Sequence, residues 1–193
     1  MIEVNVDNIV LETKHLILRA FRADDLSDFN AYASDPGVGE MAGWTHHKDL
    51  AESQRILEIL MAEKKAFALE LKATSQVIGS LGIEYLPAVM PQAFHGLVGR
   101  SLGYVLGRKW WGRGLVPEAV DVVVEYCFND LDLDFLTCTY YLENRQSKRV
   151  TEKCGFKPVD VTVAMTRWGE MKDSMLTVRW NPRAGSVPHA QLC

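Results

Sequence analysis

The chain has 193 residues, 48% hydrophobic and 24% charged, a balance that suits one domain with a proper core and excludes a disordered chain. Its formal net charge of −4 speaks against a general nucleic-acid binder, which carries a basic surplus. Glu3, Asp7 and Glu12 stand where a signal peptide needs a basic start and an apolar run, and no stretch of about 18 apolar residues follows, so a cytoplasmic protein without membrane contact is expected.

Residues 15–22, HLILRAFR, alternate apolar and polar and predict a strand. ADDLSDFNAYASDPG opens acidic and stops at Asp35-Pro36-Gly37, the pattern of a short helix. After a loop holding Trp44, His46 and His47, residues 49–64 place Ile56, Leu57, Leu60 and Met61 at helical spacing. Strands over 66–72 and 77–85 are joined by the polar connection Ala73-Thr74-Ser75-Gln76, short enough for a hairpin. The irregular stretch from Leu86 to Gly99 follows, and then SLGYVL, a strand over 101–106. The loops 36–48 and 86–97, with Trp44, His46, His47, Phe94 and His95, are candidates for a substrate side.

From Leu115 to Asn129 the chain is mostly apolar, but Glu118, Asp121, Glu125 and Asn129 form one polar stripe at intervals of three and four, which predicts a helix. Pro117 falls in its first turn, where a missing N–H costs nothing. FLTCTYY, 135–141, reads as a buried strand. A helix from Asn144 to Gly155 and strands over 156–166 and 174–181 complete a single domain of residues 1–181, with 182–193 an irregular tail. Cys127, Cys138, Cys154 and Cys193 form no C-x-x-C pair, which fits reduced thiols and no metal site.

KWWGRGLVPEAV, Lys109 to Val120, starts a helix without a Ser, Thr, Asp or Asn to accept from its first N–H groups. Strand, glycine-rich turn and helix N-terminus together form an anion site, so a pyrophosphate could accept from the backbone of Trp111 through Val116. Gly112 and Gly114 allow close approach, and Arg113 adds a charge. A Walker A loop is excluded because Arg113-Gly114 replaces the lysine and the hydroxyl residue. A dinucleotide fingerprint is excluded because Pro117 stands at its third glycine.

Lys109-Trp110-Trp111-Gly112-Arg113-Gly114 resembles the acetyl-CoA loop [Q/R]-x-x-G-x-[G/A] of the GNAT acetyltransferases, with lysine in the first position. Tyr104-Val105-Leu106, Glu118-Ala119, and the block Asn144, Ser147, Val150, Lys153, Gly155, Phe156 are similar to the RimJ/RimL branch, whose downstream stretch is N-x-x-S-x-x-V-x-x-K-x-G-F. The match is good over about residues 77–160 and looser over 12–72. Pro117, where the branch often has threonine, lies beyond the phosphate turn.

The resemblance implies an α/β (α+β) GNAT fold: a mixed, mostly antiparallel sheet of six to seven strands, splayed between two parallel central strands and flanked by helices on both faces. It implies acetyl-CoA as cofactor, held by Tyr104, Val105, Leu106, Trp111, Gly112, Arg113, Gly114, Leu115, Val116, Asn144, Ser147 and Lys153. Acetyl would pass directly to a primary amine in a ternary complex. A peptide or protein N-terminal α-amine is the first expectation and a polyamine, amino sugar or antibiotic the second. The N–H of Val105 or Leu106 would stabilise the oxyanion. Glu84 is a candidate base, or else a solvated strand-end carboxylate, with His95 a weaker candidate. Ser147 is preferred over Tyr141 for protonating the leaving thiolate, and Asn144 joins Glu84 and Ser147 in the catalytic set. Trp44, His46, Glu84 and His95 would meet the amine acceptor. Cys154 fits a packing thiol better than a nucleophile. A monomer or homodimer fits equally, and a CoA-binding sensor without turnover is the rival reading.

Overall fold

The computed structural model describes residues 3–184. Its strands are β1 (Leu11–Glu12), β2 (Leu16–Ala20), β3 (Ala66–Leu71), β4 (Val77–Glu84), β5 (Gly99–Leu106), β6 (Phe135–Tyr141), β7 (Lys157–Met165) and β8 (Met171–Trp180). Its helices are α1 (Leu26–Ala33), α2 (Leu50–Glu63), α3 (Leu115–Asn129) and α4 (Arg145–Lys153). The strands form one sheet in the order β1-β2-β3-β4-β5-β6-β8-β7. Every pairing is antiparallel except β5 with β6. The eighth strand, β1, has two residues, too few for alternation to reveal it. Of the expected tail, residues 185–193 lie outside the described residues, as does Cys193.

Alternation along the strands gives the sheet two apolar faces. Phe67, Leu69, Leu81, Leu102 and Leu106 pack against Leu115, Ala119, Val123 and Cys127 of α3. On the other face Ala66, Ala68 and Val77 pack against Phe29, Tyr32 and Ala33 of α1 and Leu57 of α2. Each such buried Leu, Val or Phe contributes about 1.5–3 kcal/mol of transfer free energy. The polar stripe of α3 keeps Asp121, Glu125 and Asn129 exposed, as its period requires. Gly99, the first residue of β5, lies against the Phe135 ring, where an added Cβ would come within 2.4 Å, so a side chain there would not fit. No helix of the described residues is long and apolar enough to cross a membrane, and no cluster of potential metal ligands occurs among them.

The loop from α1 to α2 is tied down from within. Ser53 Oγ donates to Asn30 Oδ1 at 2.9 Å and therefore accepts from His47 Nδ1, also at 2.9 Å. Burial lowers the pKa of His47 from its ordinary 6.5, so the folded chain holds this ring neutral. The stability this contributes is fully present above pH 6.5 and is lost as pH falls through the depressed folded value. Tm is expected to fall on acidification from pH 7.5 to about 5, with a flatter profile in His47→Asn, whose amide donates without titrating.

Candidate functional site

β5 and β6 pair only over Gly99–Ser101 with Phe135–Thr137, although they continue to Leu106 and Tyr141. Beyond Ser101 the two parallel strands diverge, and a cavity of about 610 Å³ opens between them. Gly107 N–H donates to Ile78 O at 2.8 Å. Antiparallel pairing alternates bonded and non-bonded residue pairs. With the β4–β5 register, that alternation commits the N–H of Val105 to β4 and turns those of Leu102, Tyr104 and Leu106 toward the gap. Of the two amides expected at the oxyanion, the geometry therefore favours Leu106 over Val105.

At the far end of β5 the chain turns into α3 through Gly112 and Gly114, both at positive φ (75° and 78°). No side chain caps α3, and the amides of Gly112 through Val116 meet no acceptor among the described residues. A Cβ at either glycine would meet nothing within 4 Å, so the backbone conformation, not crowding, calls for glycine there. Arg113, and Arg149 and Lys153 from α4, add positive charge to the same cavity. These bare amides, the helix dipole and the cations fit a diphosphate-bearing acyl donor.

The opposite wall comes from α4. Asn144 is its N-cap, accepting from Ser147 N–H at 3.0 Å and donating to Met41 O at 3.3 Å. Ser147 Oγ lies 2.7 Å from Tyr104 Oη, which bridges α4 to β5. Burial pushes the Tyr104 phenol far up from its ordinary value, so it stays a neutral donor. Tyr104→Phe leaves Ser147 without this partner and is expected to cost about 1–2 kcal/mol, a few degrees of Tm by calorimetry. Tyr141 also lines the cavity. Cys154 is buried, its thiol pushed up to about 12 chiefly by burial, and faces Pro117 O at 3.8 Å; it is a packing thiol.

The twelve residues expected to hold the cofactor, Tyr104 through Lys153, all line this one cavity. The expected acceptor residues do not. Trp44 lies against Gly39 and 5.1 Å from the His47 ring, and His46 Nδ1 pairs with Glu40 at 2.7 Å. Both shape the loop, while its residues Val38, Met41, Ala42 and Gly43 reach the cavity. His95 does not line the cavity; it follows Phe94, which is anchored near the paired end of β5 and β6. Phe94 stacks on Trp180 and touches Phe135 (centroids 5.2 and 4.8 Å), and this apolar anchoring pulls the 86–97 loop away from the gap. Ala164, Met165 and Arg167 of the β7–β8 hairpin form the remaining rim; nothing in their local sequence marked them, because a fold-wide pairing brings them there.

Glu84 stands one strand away. It is the register partner of Ser101, its carboxylate lies 3.4 Å from Lys65 Nζ, and it folds back over Gly82. Gly82 pairs with Gly103, which lines the cavity.

A sheet splayed beside an uncapped helix head defines an α/β acyltransferase that takes its acyl group from a CoA thioester. The chain belongs to the GNAT acetyltransferases: the family's acetyltransferase (GNAT) domain matches residues 15–157. It is 27% identical over 152 residues to the uncharacterized N-acetyltransferase p20 of Bacillus licheniformis, covering 76% of this chain and 82% of that one. A GNAT-family acetyltransferase structure from Bacillus anthracis superposes with a TM-score of 0.78 at 20% identity, covering 90% of this chain and 99% of the other. The ribosomal-protein-S5-alanine acetyltransferase of Vibrio fischeri gives 0.69 at 19% identity, covering 93% and 100%. Acetyl-CoA is the donor of this family, and it supplies an activated acetyl thioester.

Proposed function

We propose that the protein acetylates a primary amine, foremost the α-amine of a peptide or protein N-terminus, within a ternary complex. The observation that carries the reading is the row of unpaired amides from Gly112 to Val116 beside the splayed strands. The shared fold with a ribosomal-protein-alanine acetyltransferase supports the choice of acceptor.

In this reading Gly112 to Val116, with Arg113, hold the diphosphate, and Leu106 N–H meets the developing oxyanion. Asn144 keeps α4 and the Met41 loop together. Ser147, oriented by Tyr104, donates a hydrogen bond to the departing sulfur, which leaves as the thiolate and takes its proton from solvent. Glu84 accepts the proton of the amine through water, because Gly82 and Gly103 leave the intervening floor free of side chains. An α-amine titrates near 7.7–8.0, so weak base assistance suffices at neutral pH.

Free-thiol release from acetyl-CoA with a panel of amines tests the proposal. N-terminal peptides are expected to release thiol. A rise in Tm with acetyl-CoA and no release from any amine would instead support a CoA-binding sensor.

A further inference from the structure

Besides the Gly112–Val116 turn, the Val38–Gly43 loop and the β7–β8 hairpin supply a rim of the cavity. Arg167 N–H donates to Gly43 O at 2.8 Å and joins the two. Large apolar side chains stand open around it: Met41 is 39% exposed, Met165 69%, Trp168 40% and Met171 57%. Exposed methionines are adaptable contact surface, and apolar exposure of this kind marks a binding region.

Of the charged side chains on this hairpin, Arg167 is the one that lines the cavity. Among the described residues no acidic side chain lines the cavity, whereas Arg167 does. The Arg167 guanidinium makes no hydrogen bond or ion pair among the described residues. Glutamates of the surrounding elements have partners outside the cavity lining: Glu40 on His46 at 2.7 Å and Glu143 on Lys172 at 2.6 Å, while Glu170 accepts from Trp168 Nε1 at 2.9 Å on the outer side of the hairpin turn and does not line the cavity. A polyamine would bring several positive charges to a cavity whose lining offers no carboxylate. An acceptor with a negative group would satisfy a lone guanidinium.

We infer that the amine acceptor carries an apolar side chain next to its amine and an anionic group beyond it, the first resting on Met41 and Met165 and the second on Arg167. The inference rests on the proposed transfer reaction and narrows its substrate. Two sources share this chemistry, a peptide N-terminus with an early acidic residue and a free apolar amino acid.

The test measures kcat/KM by thiol release for the amidated peptides Leu-Asp-Ala, Leu-Asn-Ala, Leu-Lys-Ala and Gly-Asp-Ala, and for leucine against leucinamide. The aspartyl peptide is expected to exceed the lysyl peptide about tenfold or more, and Leu-Asp-Ala to exceed Gly-Asp-Ala by a similar factor. Arg167→Glu, on an exposed turn and checked for folding by circular dichroism, is expected to invert the charge order. Preference in the peptide series assigns a peptide acceptor. A leucine-to-leucinamide ratio that alone drops on Arg167→Glu assigns a free amino acid, amine basicity cancelling in that comparison. Equal use of the charged peptides with an unmoved leucine ratio, or an order unchanged by Arg167→Glu, overturns the inference while leaving the transfer reaction intact. Thiol release from no acceptor removes the transfer reading and this inference with it.

Discussion

Gly114→Asp is expected to weaken acetyl-CoA binding about a hundredfold or more while the chain still folds. Gly114 has φ of 78°, a conformation that aspartate and asparagine tolerate better than other side chains. A Cβ there meets nothing within 4 Å, so neither crowding nor severe backbone strain confounds the variant. The aspartate carboxylate would sit on the bare amides at the head of α3, satisfying them internally and repelling the diphosphate. Charge-assisted hydrogen bonds contribute about 1.5–3 kcal/mol each, so losing two corresponds to a factor of about 10² to 10⁴ in Kd. Gly114→Asn, of the same shape but neutral, is expected to keep much more affinity. Titration calorimetry with acetyl-CoA reads both, and an Asp variant with unchanged Kd would remove the helix head from the donor site.

Glu84→Gln is expected to lower kcat about a hundredfold near pH 7, the lower range of general-base contributions. The amide keeps the size of the side chain and its place over Gly82 but accepts no proton. The deficit is expected to shrink as pH rises past 7.7–8.0, where a free α-amine has already lost its proton. That pH dependence separates a base from a structural residue. Loss of the Lys65 ion pair alone would change Tm modestly, because the Glu84 side chain is 45% exposed and such pairs contribute about 0–1 kcal/mol. A rate that falls equally at pH 7 and pH 9 would reject the base role.

The residues proposed to hold the donor could be picked out in the sequence, and all line one cavity, because their chemistry is local. The glycines at 112 and 114, the missing cap and the block from Asn144 to Phe156 each occupy a few consecutive positions, and the strand leading into the loop places them. The bounds of β6 and α3 were equally legible, since FLTCTYY is uninterrupted β-former and the stripe from Glu118 to Asn129 keeps a helical period through an apolar run. The rim proposed to meet the acceptor was not. Arg167 and Gly43 are separated by more than a hundred residues and meet through one backbone hydrogen bond. Nor could the sequence show that His95 stays out of the cavity lining: its loop has the composition of a substrate loop, but Phe94 finds Phe135 and Trp180 at the closed end of the strand pair.

By itself the sequence determined the family, the glycine turn proposed to hold the donor and the order of the helices and of every strand but β1, because propensity, periodicity and turn chemistry act over a few neighbouring residues. Only the tertiary structure decided where β5 leaves β6, which amides face the gap and which loop reaches it. Those depend on how distant strands pair and on which apolar anchors find each other, and both are properties of the packed sheet.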